Sequence, residues 1–292
     1  MRPIKELLRE EYWNIAYRFC KDGETLLNGN DDEFFTLMQS KKYWYADPFL
    51  FEHNGEVYLF VEMFDNTKEK GVIGVSKLDN NVFNKPTVVL EESFHLSYPF
   101  VFEENGEIFM MPETMGDQCI QIYKAEEFPI KWKREKILLN IGNAVDTVML
   151  DDWLITSVVT DATEKKTRLE LYDRKAGTPH KDNPIYRESQ AIRGAGRIVE
   201  HNGQKIRPAQ NCENGIYGAG LIFYEIKECN TERYKECEVF RITSQNIELK
   251  NKSHPNGVHT YAICNDLEAI DFKKSRFNIN RIWWILKKKF IL

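Results

Sequence analysis

The chain has 292 residues, of which 42% are hydrophobic and 13% aromatic. This is enough apolar sequence to bury a large core, and the abundance of Phe and Tyr favours β-strands. The formal net charge of −5 argues against a general nucleic-acid-binding protein, because such proteins carry an excess of basic residues. The N-terminus lacks the apolar core of a secretion signal, and no run approaches the ~20 apolar residues of a membrane-spanning helix. We therefore expect a cytoplasmic protein.

The N-terminal segment changes character within a few residues. Residues 3–18 begin with a helix-compatible composition and become aromatic and strand-like near Trp13. A polar stretch at 21–42 follows, with a loop signal at 28–32. We predict a strand over residues 13–18 and an irregular connection after it.

A hairpin phrase then occurs twice. The sequences YADPFLFEHNGEVYLFVE at 45–62 and YPFVFEENGEIFMMPE at 98–113 align at their Asn-Gly turns, with their phenylalanines in register. In this alignment Glu62 matches Glu113. An Asn-Gly pair between two apolar runs predicts a two-residue β-hairpin, so the phrase is a repeated structural unit.

Weaker copies of the phrase follow the first two. One begins at Asp146, and another, built around Asn202-Gly203, places Gln210 in the slot that Glu62 occupies in the first copy. A last copy begins near Val258. Periods of about 40–50 residues with about four strands each indicate a β-propeller.

We therefore predict an all-β fold, a five-bladed β-propeller over residues 1–272, in which the N-terminal strand closes the ring with the last blade. Five periods of this length nearly fill the chain. The alternative, a pair of β-sandwiches, does not explain why the hairpin phrase repeats in register.

The C-terminal tail differs in composition from the rest. Residues 273–292 contain seven Lys or Arg and no acidic residue, with Trp283 and Trp284 among them. On a helix the apolar residues would share one face, which is typical of a helix that lies on an anionic membrane surface. We predict a short basic amphipathic helix that holds the protein at the inner face of the membrane. The alternative is a helix that caps the propeller.

The starts of the inner strands carry the first candidate site residues. In a propeller these positions converge at one end of the axis, so Asp47, Tyr98 and Asp146 would meet there. Paired carboxylates in one cleft are typical of glycosidic chemistry, and crowding separates their pKa values into acid and base roles. An Asp before Pro also favours turns, but Tyr98 occupies the same slot before a proline, so the turn does not require Asp.

The ends of the second strands supply further polar groups. Glu62 and Glu113 close apolar strands, and Gln210 repeats a polar group there, which suggests a ring of polar ends around one pocket. A glutamate at such a position is otherwise the first exposed residue of a strand. We predict that Asp47, Glu113 and Asp146 are catalytic, with Glu113 as the acid.

Basic residues complete the candidate site. Arg193, Arg197 and Arg207 lie close together in the sequence, and guanidinium groups bind carboxylate or phosphate in a bidentate manner, although ion pairs on a blade are an equal alternative. His259 would reach the axis from the last blade and bind an ion or a sugar hydroxyl, or serve the structure. The predicted substrate-binding residues are Glu62, Tyr98, Arg197, Arg207, Gln210 and His259. No resident cofactor or metal centre is predicted; an activated sugar donor and a structural ion on the axis are left open.

Several motifs together resemble one family. They are ADPF, the hairpin ending FVE, the phrase HLSYPFVFEENGEIFMMPE, the segment VDTVML followed by Trp, and RPAQ followed by YG. They resemble the propeller domain that precedes the transferase domain in glucosamine inositolphosphorylceramide transferases and that also stands free in bacterial polysaccharide gene clusters. The resemblance covers about residues 40–272. The pattern is more distantly similar to the five-bladed furanosidases of glycoside hydrolase family 43.

The furanosidase resemblance implies a base Asp at the start of blade one, which Asp47 matches, and a second Asp that tunes an acid Glu. Asp146 and Glu113 would fill those two roles. Tyr98 departs from an Asp-Pro in blade two, which argues against simple hydrolysis. Because no separate nucleotide-sugar domain is recognised, the propeller itself would bind the donor of a transfer reaction.

The sequence thus predicts a glycosyl-transferring enzyme that acts on a carbohydrate substrate in cell-surface polysaccharide or glycolipid biosynthesis. One alternative is an intracellular glycoside hydrolase that cleaves furanosides. Another is a non-catalytic carbohydrate-binding propeller that serves a partner transferase.

Overall fold

The computed structural model describes residues 9–21, 23–29 and 33–277. Within these ranges the regular structure consists of β-strands and four short 3₁₀-helices, and the strands form five antiparallel sheets. Each sheet contains four strands, except that one carries an additional short strand. This is the arrangement of a five-bladed β-propeller, as the repeats predict.

Strands are numbered in chain order. The first two belong to the last blade, and they are β1 (Arg9–Phe19) and β2 (Phe35–Thr36). Blade one contains β3 (Tyr43–His53), β4 (Glu56–Asp65), β5 (Lys70–Asp79), β6 (Val82–Phe83) and β7 (Thr87–Leu90). Blade two contains β8 (Ser97–Glu104), β9 (Glu107–Glu113), β10 (Ile120–Glu127) and β11 (Lys131–Leu139).

Three further blades complete the ring. Blade three contains β12 (Ala144–Leu150), β13 (Trp153–Asp161), β14 (Lys166–Asp173) and β15 (Tyr186–Ser189). Blade four contains β16 (Val199–His201), β17 (Gln204–Asn211), β18 (Gly220–Cys229) and β19 (Tyr234–Thr243). Blade five adds β20 (Tyr261–Cys264) and β21 (Leu267–Phe277) to β1 and β2. The 3₁₀-helices are Leu26–Asn28, Met115–Asp117, Glu213–Gly215 and Ser244–Asn246.

The Asn-Gly turns form the inner hairpins for a backbone reason. Asn54 and Gly55 have φ angles of 53° and 76°, and the equivalent pairs in blades two and four have nearly the same values. A two-residue hairpin of this type needs positive φ at both central positions, which Asn and Gly tolerate best. The phenylalanines that repeat with these turns, such as Phe49 and Phe100, are buried in the core between blades one and two. The repeat therefore encodes both the turn and the packing between blades.

The N-terminal strand closes the ring. β1 pairs with β21 in antiparallel register along its whole length, from Arg9 opposite Phe277 to Phe19 opposite Leu267. Blade five is thus built from both ends of the chain, as predicted from residues 13–18. Because this pairing joins sequence-distant segments, unfolding of either end opens the ring.

The boundary predicted at residue 272 is wrong. β21 continues to Phe277, and Lys273 donates its backbone N–H to the carbonyl oxygen of Gly257 at 2.8 Å. The first five residues of the predicted tail therefore belong to the last blade and not to a helix. Residues 278–292, which carry the rest of the predicted membrane-binding helix, lie outside the described residues. Within the described ranges, none of the helices is long and apolar enough to cross a membrane.

Candidate functional site

The residues that open the inner strands of the first three blades share one backbone conformation. Asp47, Tyr98 and Asp146 have φ angles of 49°, 48° and 51°, in the left-handed region that L-residues rarely adopt. In each blade the hairpin register shifts at this point, which marks a β-bulge. Such strained positions cluster at functional sites, and a bulge re-aims the side chain that it carries. The sequence alignment of the three residues is therefore matched by the backbone geometry.

The Asp47 carboxylate joins the first blade to its two neighbours. Its Oδ1 accepts a hydrogen bond from the Thr260 hydroxyl at 3.0 Å and lies 3.3 Å from Nε2 of His259. Its Oδ2 accepts from the backbone N–H of Tyr98 at 3.2 Å. Asp271 in turn accepts from the backbone N–H of Asp47 at 3.1 Å and lies 2.7 Å from Nδ1 of His259. We call Asp47, His259 and Asp271 the axial cluster.

Tyr98 holds the ring together instead of facing a ligand. Its side chain is fully buried, and its ring packs edge-on against Phe49 with centroids 4.8 Å apart. The hydroxyl accepts from the backbone N–H of Gly196 at 2.6 Å and donates to the carbonyl oxygen of the same residue at 3.1 Å. Tyr98 thus spans from blade two to the segment before blade four. These contacts do not support the substrate-binding role predicted for it.

Arg193 lies between two carboxyl groups of blades two and three. Its guanidinium pairs with both oxygens of Asp146, and its Nη2 lies 3.6 Å from Oε2 of Glu113. Gln210 donates to Oδ2 of Asp146 at 3.2 Å and to the carbonyl oxygen of Gly194 at 2.8 Å. The structure therefore brings together the predicted residues Glu113, Asp146 and Gln210 around an arginine that the sequence reasoning considered without assigning it a role.

Glu62 and Glu113 occupy equivalent places at the ends of β4 and β9, and we call them the wall carboxyls. Both side chains are only 7% exposed. In each, one buried carboxyl oxygen (Oε1 of Glu62, Oε2 of Glu113) has no hydrogen-bond partner among the described residues. Nε2 of His95 lies 3.5 Å from Oε1 of Glu62. The two side chains thus occupy equivalent buried positions, and a shared pocket at the second-strand ends stays a prediction.

Burial, and after it the nearby acids, raises the pKa values of Asp47, Glu62 and Glu113. Burial raises the pKa of Asp47 to about 6, with the Asp271 and Asp146 carboxylates adding to the rise and His259 opposing it. Burial also raises the pKa of Glu113 to about 8, and Asp146 adds to this while Arg193 opposes it. For Glu62, burial followed by the Asp47 and Glu113 carboxylates raises the pKa well above its usual value. At neutral pH the site therefore combines an ionised Asp47 with a protonated Glu113, and Glu62 keeps its proton to a higher pH than an ordinary glutamate does.

His259 is held between two carboxylates. Burial lowers the pKa of His259, but the Asp271 and Asp47 carboxylates outweigh it, and the net shift is upward. The rings of Trp13 and Tyr217 lie against the imidazole, with centroid distances of 4.1 and 5.0 Å. The contacts of both ring nitrogens with carboxylate oxygens give His259 a structural role in the axial cluster.

The axial cluster is also the group of described residues whose ligand atoms lie close enough for a metal ion, within 4.8 Å of one another. The carboxylate oxygens of its two aspartates already accept hydrogen bonds, whereas Nδ1 of His259 has no hydrogen-bond partner among the described residues. Oδ1 of Asp271 accepts the backbone N–H groups of His259 at 2.9 Å and Thr260 at 3.0 Å, and Oδ2 accepts that of Asp47. These hydrogen bonds satisfy the carboxylates without a cation, so the contacts do not require the structural ion that the sequence left open.

Two of the predicted binding arginines are committed elsewhere. Arg207 is 1% exposed and forms a bidentate ion pair with Glu236, with its third donor on the carbonyl oxygen of Ile192. Arg197 donates to the carbonyl oxygen of Val101 and stacks over the ring of Phe100. Both side chains therefore stabilise contacts within or between blades, and these contacts do not support the substrate-binding roles predicted for them.

Sequence reasoning assigned no role to three residues that shape the site. Asp271 lies inside β21, in a strand without a recognisable motif. His95 stands in the connection between blades one and two, and Tyr217 precedes β18. The available signals were a histidine three residues before the second copy of the phrase and the YG pair after RPAQ.

Comparison with known proteins agrees with this architecture. The catalytic domain of a GH62 α-L-arabinofuranosidase from Coprinopsis cinerea superposes with a TM-score of 0.52 at 8% identity, covering 86% of this chain and 82% of that one. At this identity the likeness shows the fold alone.

Sequence relatives are more similar. The protein named glucosamine inositolphosphorylceramide transferase 1 of Arabidopsis thaliana is 36% identical over 228 residues, which are 74% of this chain and 29% of that protein. The protein of the same name from Oryza sativa subsp. indica is 36% identical over 208 residues, 66% of this chain and 28% of that protein. The chain thus spans less than a third of the length of these relatives. A family model described as glucosamine inositolphosphorylceramide transferase 1, N-terminal, matches residues 36–271, and the chain therefore belongs to that family.

Proposed function

We propose that this chain forms a glycosyl-transferring centre that acts in the synthesis of a cell-surface polysaccharide or glycolipid. The observation that carries the proposal is the buried acid group in which Asp47, with a pKa raised to about 6, meets wall carboxyls with higher values. Carboxyl groups whose environments separate their pKa values are the usual acid and base of glycosidic chemistry. Membership of a family named for a transferase supports transfer over hydrolysis.

In this proposal Asp47 acts as the base. An acceptor hydroxyl bound in the pocket loses its proton to the Asp47 carboxylate as its oxygen bonds to the anomeric carbon of the donor sugar. The hydrogen bonds from Thr260 and from the backbone of Tyr98 fix the orientation of the carboxylate. A protonated wall carboxyl donates to the leaving oxygen, which departs with the electron pair of the broken bond.

Among the described residues of the site, carboxyl groups outnumber basic groups. The carboxyl groups are Asp47, Glu62, Glu113, Asp146 and Asp271, and the basic side chains near them are Arg193, His259 and His95. An ammonium group on the sugar would relieve this imbalance, because an opposite charge favours the ionised form of a carboxyl group. We therefore propose an amino sugar as the transferred group, in agreement with the glucosamine in the names of the relatives.

The test is transfer from activated sugar donors to glycolipid or polysaccharide acceptors, followed by mass spectrometry of the product. Asp47→Asn keeps the size of the side chain and removes the base, and we expect the rate to fall by roughly 10²–10⁴-fold. Asp266→Asn, in the exposed turn of the last hairpin, is the matched control and should retain activity. Full activity of Asp47→Asn would show that Asp47 is not the base.

A non-catalytic sugar-binding propeller is the second candidate. It is favoured by the short span of the chain relative to its relatives, since the remainder of those proteins can carry the transfer reaction. Calorimetry with glucosamine and glucose separates the two. Sugar binding that survives Asp47→Asn, without transfer by the wild-type chain, would favour the binding role.

We further propose that the basic tail holds the chain on the cytoplasmic side of an anionic membrane. The support is the composition of residues 278–292, with Trp beside Lys and Arg. The deletion that tests it begins at residue 278, because residues 273–277 pair with β1. We expect the shortened chain to lose its partition onto phosphatidylserine vesicles while keeping its unfolding transition. Undiminished partition would refute the membrane role.

A further inference from the structure

We propose that Glu62, and not Glu113, is the proton-donating carboxyl of the site, and that His95 is the positioning residue that directs its proton to Oε2. The inference rests on the proposed function, because a proton donor needs a reaction to serve. It reassigns both wall carboxyls, since the sequence placed Glu113 as the acid and Glu62 among the substrate contacts.

His95 fits closely against Glu62. The imidazole lies over Gly71 of β5, where a glycine leaves the required space. A Cβ atom at Gly71 would stand 2.7 Å from Oε1 of Glu62, 2.8 Å from Cε1 of His95 and 2.4 Å from the carbonyl oxygen of Leu96. The contact between the histidine and the carboxyl is thus built into the blade.

A backbone hydrogen bond fixes the tautomer of His95. The backbone N–H of Gly71 donates to Nδ1 of the imidazole at 2.9 Å. Nδ1 must therefore be the unprotonated nitrogen, and the ring proton lies on Nε2, which faces Oε1 of Glu62 at 3.5 Å. Catalytic hydrogen bonds are often long in ligand-free structures and tighten when substrate binds. With Oε1 approached by a donor, the acidic proton of Glu62 is placed on Oε2.

The two wall carboxyls have different basic neighbours. Glu113 lies 3.6 Å from the Arg193 guanidinium, a permanent cation that favours the carboxylate. Glu62 faces a histidine whose pKa is lowered by burial and by Arg193, so its neighbour is neutral. Of the two, Glu62 is the carboxyl without a cation beside it and the one that more readily keeps its proton.

The charges around Glu62 act in the same direction. The Asp47 carboxylate faces it from β3 and that of Asp271 from β21, and each disfavours a second negative charge; Glu113 on β9 adds to this effect once it is ionised. Arg193 opposes them, but its contribution is the smallest of these neighbours. The surroundings therefore favour the protonated form of Glu62 from several elements at once.

The proposed step is balanced within the site. The bond between the anomeric carbon and the leaving oxygen breaks, and that oxygen takes the proton from Oε2 of Glu62. The acceptor oxygen bonds to the anomeric carbon and gives its proton to Asp47. Exchange with solvent after product release returns the proton to Glu62, while His95 stays neutral.

The first experiment measures protonation and needs no activity. Infrared difference spectra between the wild type and Glu62→Gln at neutral pH should show the band of a protonated carboxyl, and ¹⁵N signals of His95 should show the neutral tautomer with the proton on Nε2. His53→Gln changes a histidine at the far end of the same blade and should leave both signals in place. An ionised Glu62 facing a charged His95 would overturn the proposal, whether or not the chain transfers sugars.

The second experiment varies the leaving group. Glu62→Gln should slow transfer by roughly 10²–10⁴-fold with donors whose leaving oxygen is strongly basic, and much less with nitrophenyl donors, which need no proton. His95→Phe should show the same dependence on a smaller scale, with partial recovery in His95→Gln. Glu113→Gln is the matched comparison, and its rate loss should be the same for both donors. A dependence on the leaving group in Glu113→Gln and not in Glu62→Gln would return the acid role to Glu113.

Discussion

The axial cluster and the wall carboxyls are two acidic parts of one buried site, and they differ in how their oxygens are satisfied. In the axial cluster, the carboxylate of Asp271 accepts three backbone N–H groups and faces an imidazole. In the wall, Glu62 and Glu113 each keep a buried oxygen without a hydrogen-bond partner among the described residues.

This difference assigns different tasks to chemically similar groups. A carboxylate that accepts several backbone hydrogen bonds is stabilised in its charged form and ties together the segments that donate to it. A buried carboxyl without such donors keeps its proton and can give it away. The axial cluster therefore joins blades one and five, while the wall supplies the acid.

The largest expected effect comes from removing Asp271, the residue at the centre of the axial cluster. Asp271→Ala should lower the free energy of unfolding by about 3–5 kcal/mol, because it leaves a buried imidazole and three backbone N–H groups without their partner. Denaturation in urea measures the change. Asp266→Ala, in the exposed turn of the same hairpin, should have little effect. Equal stability of the two variants would show that Asp271 does not hold the ring.

The pH dependence of stability tests the wall. The pKa of Glu113 is raised from 4.5 to about 8 on folding, so its contribution to stability is complete below pH 4.5 and is lost as the pH rises through 8. Glu113→Gln has no carboxyl to ionise, so it should not lose this stability. Between pH 4.5 and 8 the free energy of unfolding of the variant should rise relative to that of the wild type by a few kcal/mol, as a pKa shift of this size implies. Urea denaturation below, within and above the window provides the measurement.

The control for this series is Glu103→Gln, an exposed glutamate of the same hairpin, whose stability should follow the wild type at every pH. If the free energy of unfolding varied with pH in the same way for Glu113→Gln and the wild type, Glu113 would be ionised throughout this range. It would then resemble the carboxylates of the axial cluster.

The smallest expected effect comes from Tyr98→Phe. Loss of the hydroxyl leaves the buried N–H and carbonyl of Gly196 unpaired, at a cost of about 1–3 kcal/mol in the free energy of unfolding. Thermal unfolding measures it, with Tyr43→Phe as a control, since the Tyr43 hydroxyl meets the exposed Lys42. Weaker sugar binding at unchanged stability would instead restore the substrate contact predicted from sequence.

Local patterns predicted much of the fold. The Asn-Gly pairs, the register of Phe49 with Phe100 and the aromatic segment near Trp13 led to the hairpins, the repeat and the closing strand. The end of the last strand was missed, because the basic run from Lys273 looked like the start of a helix, while pairing with β1 keeps residues 273–277 extended.

The site was predicted less completely. Aligning the repeats placed Asp47, Tyr98 and Asp146 in one slot and Glu62, Glu113 and Gln210 in another, and the structure bears out both placements. The alignment does not predict what each side chain contacts. Arg193 and Arg207 have the same chemistry in sequence, yet one reaches the wall and the other a buried Glu236.

The sequence by itself determined the blades, because turns and alternating apolar residues act over a few neighbouring positions. Only the tertiary structure decided which carboxyls are hydrogen-bonded and which are not. Asp47 and Asp271 are 224 residues apart, and the bond between them exists only after the ring closes. The pKa values that separate the axial cluster from the wall arise from burial and from charges on other blades, so they are properties of the closed ring.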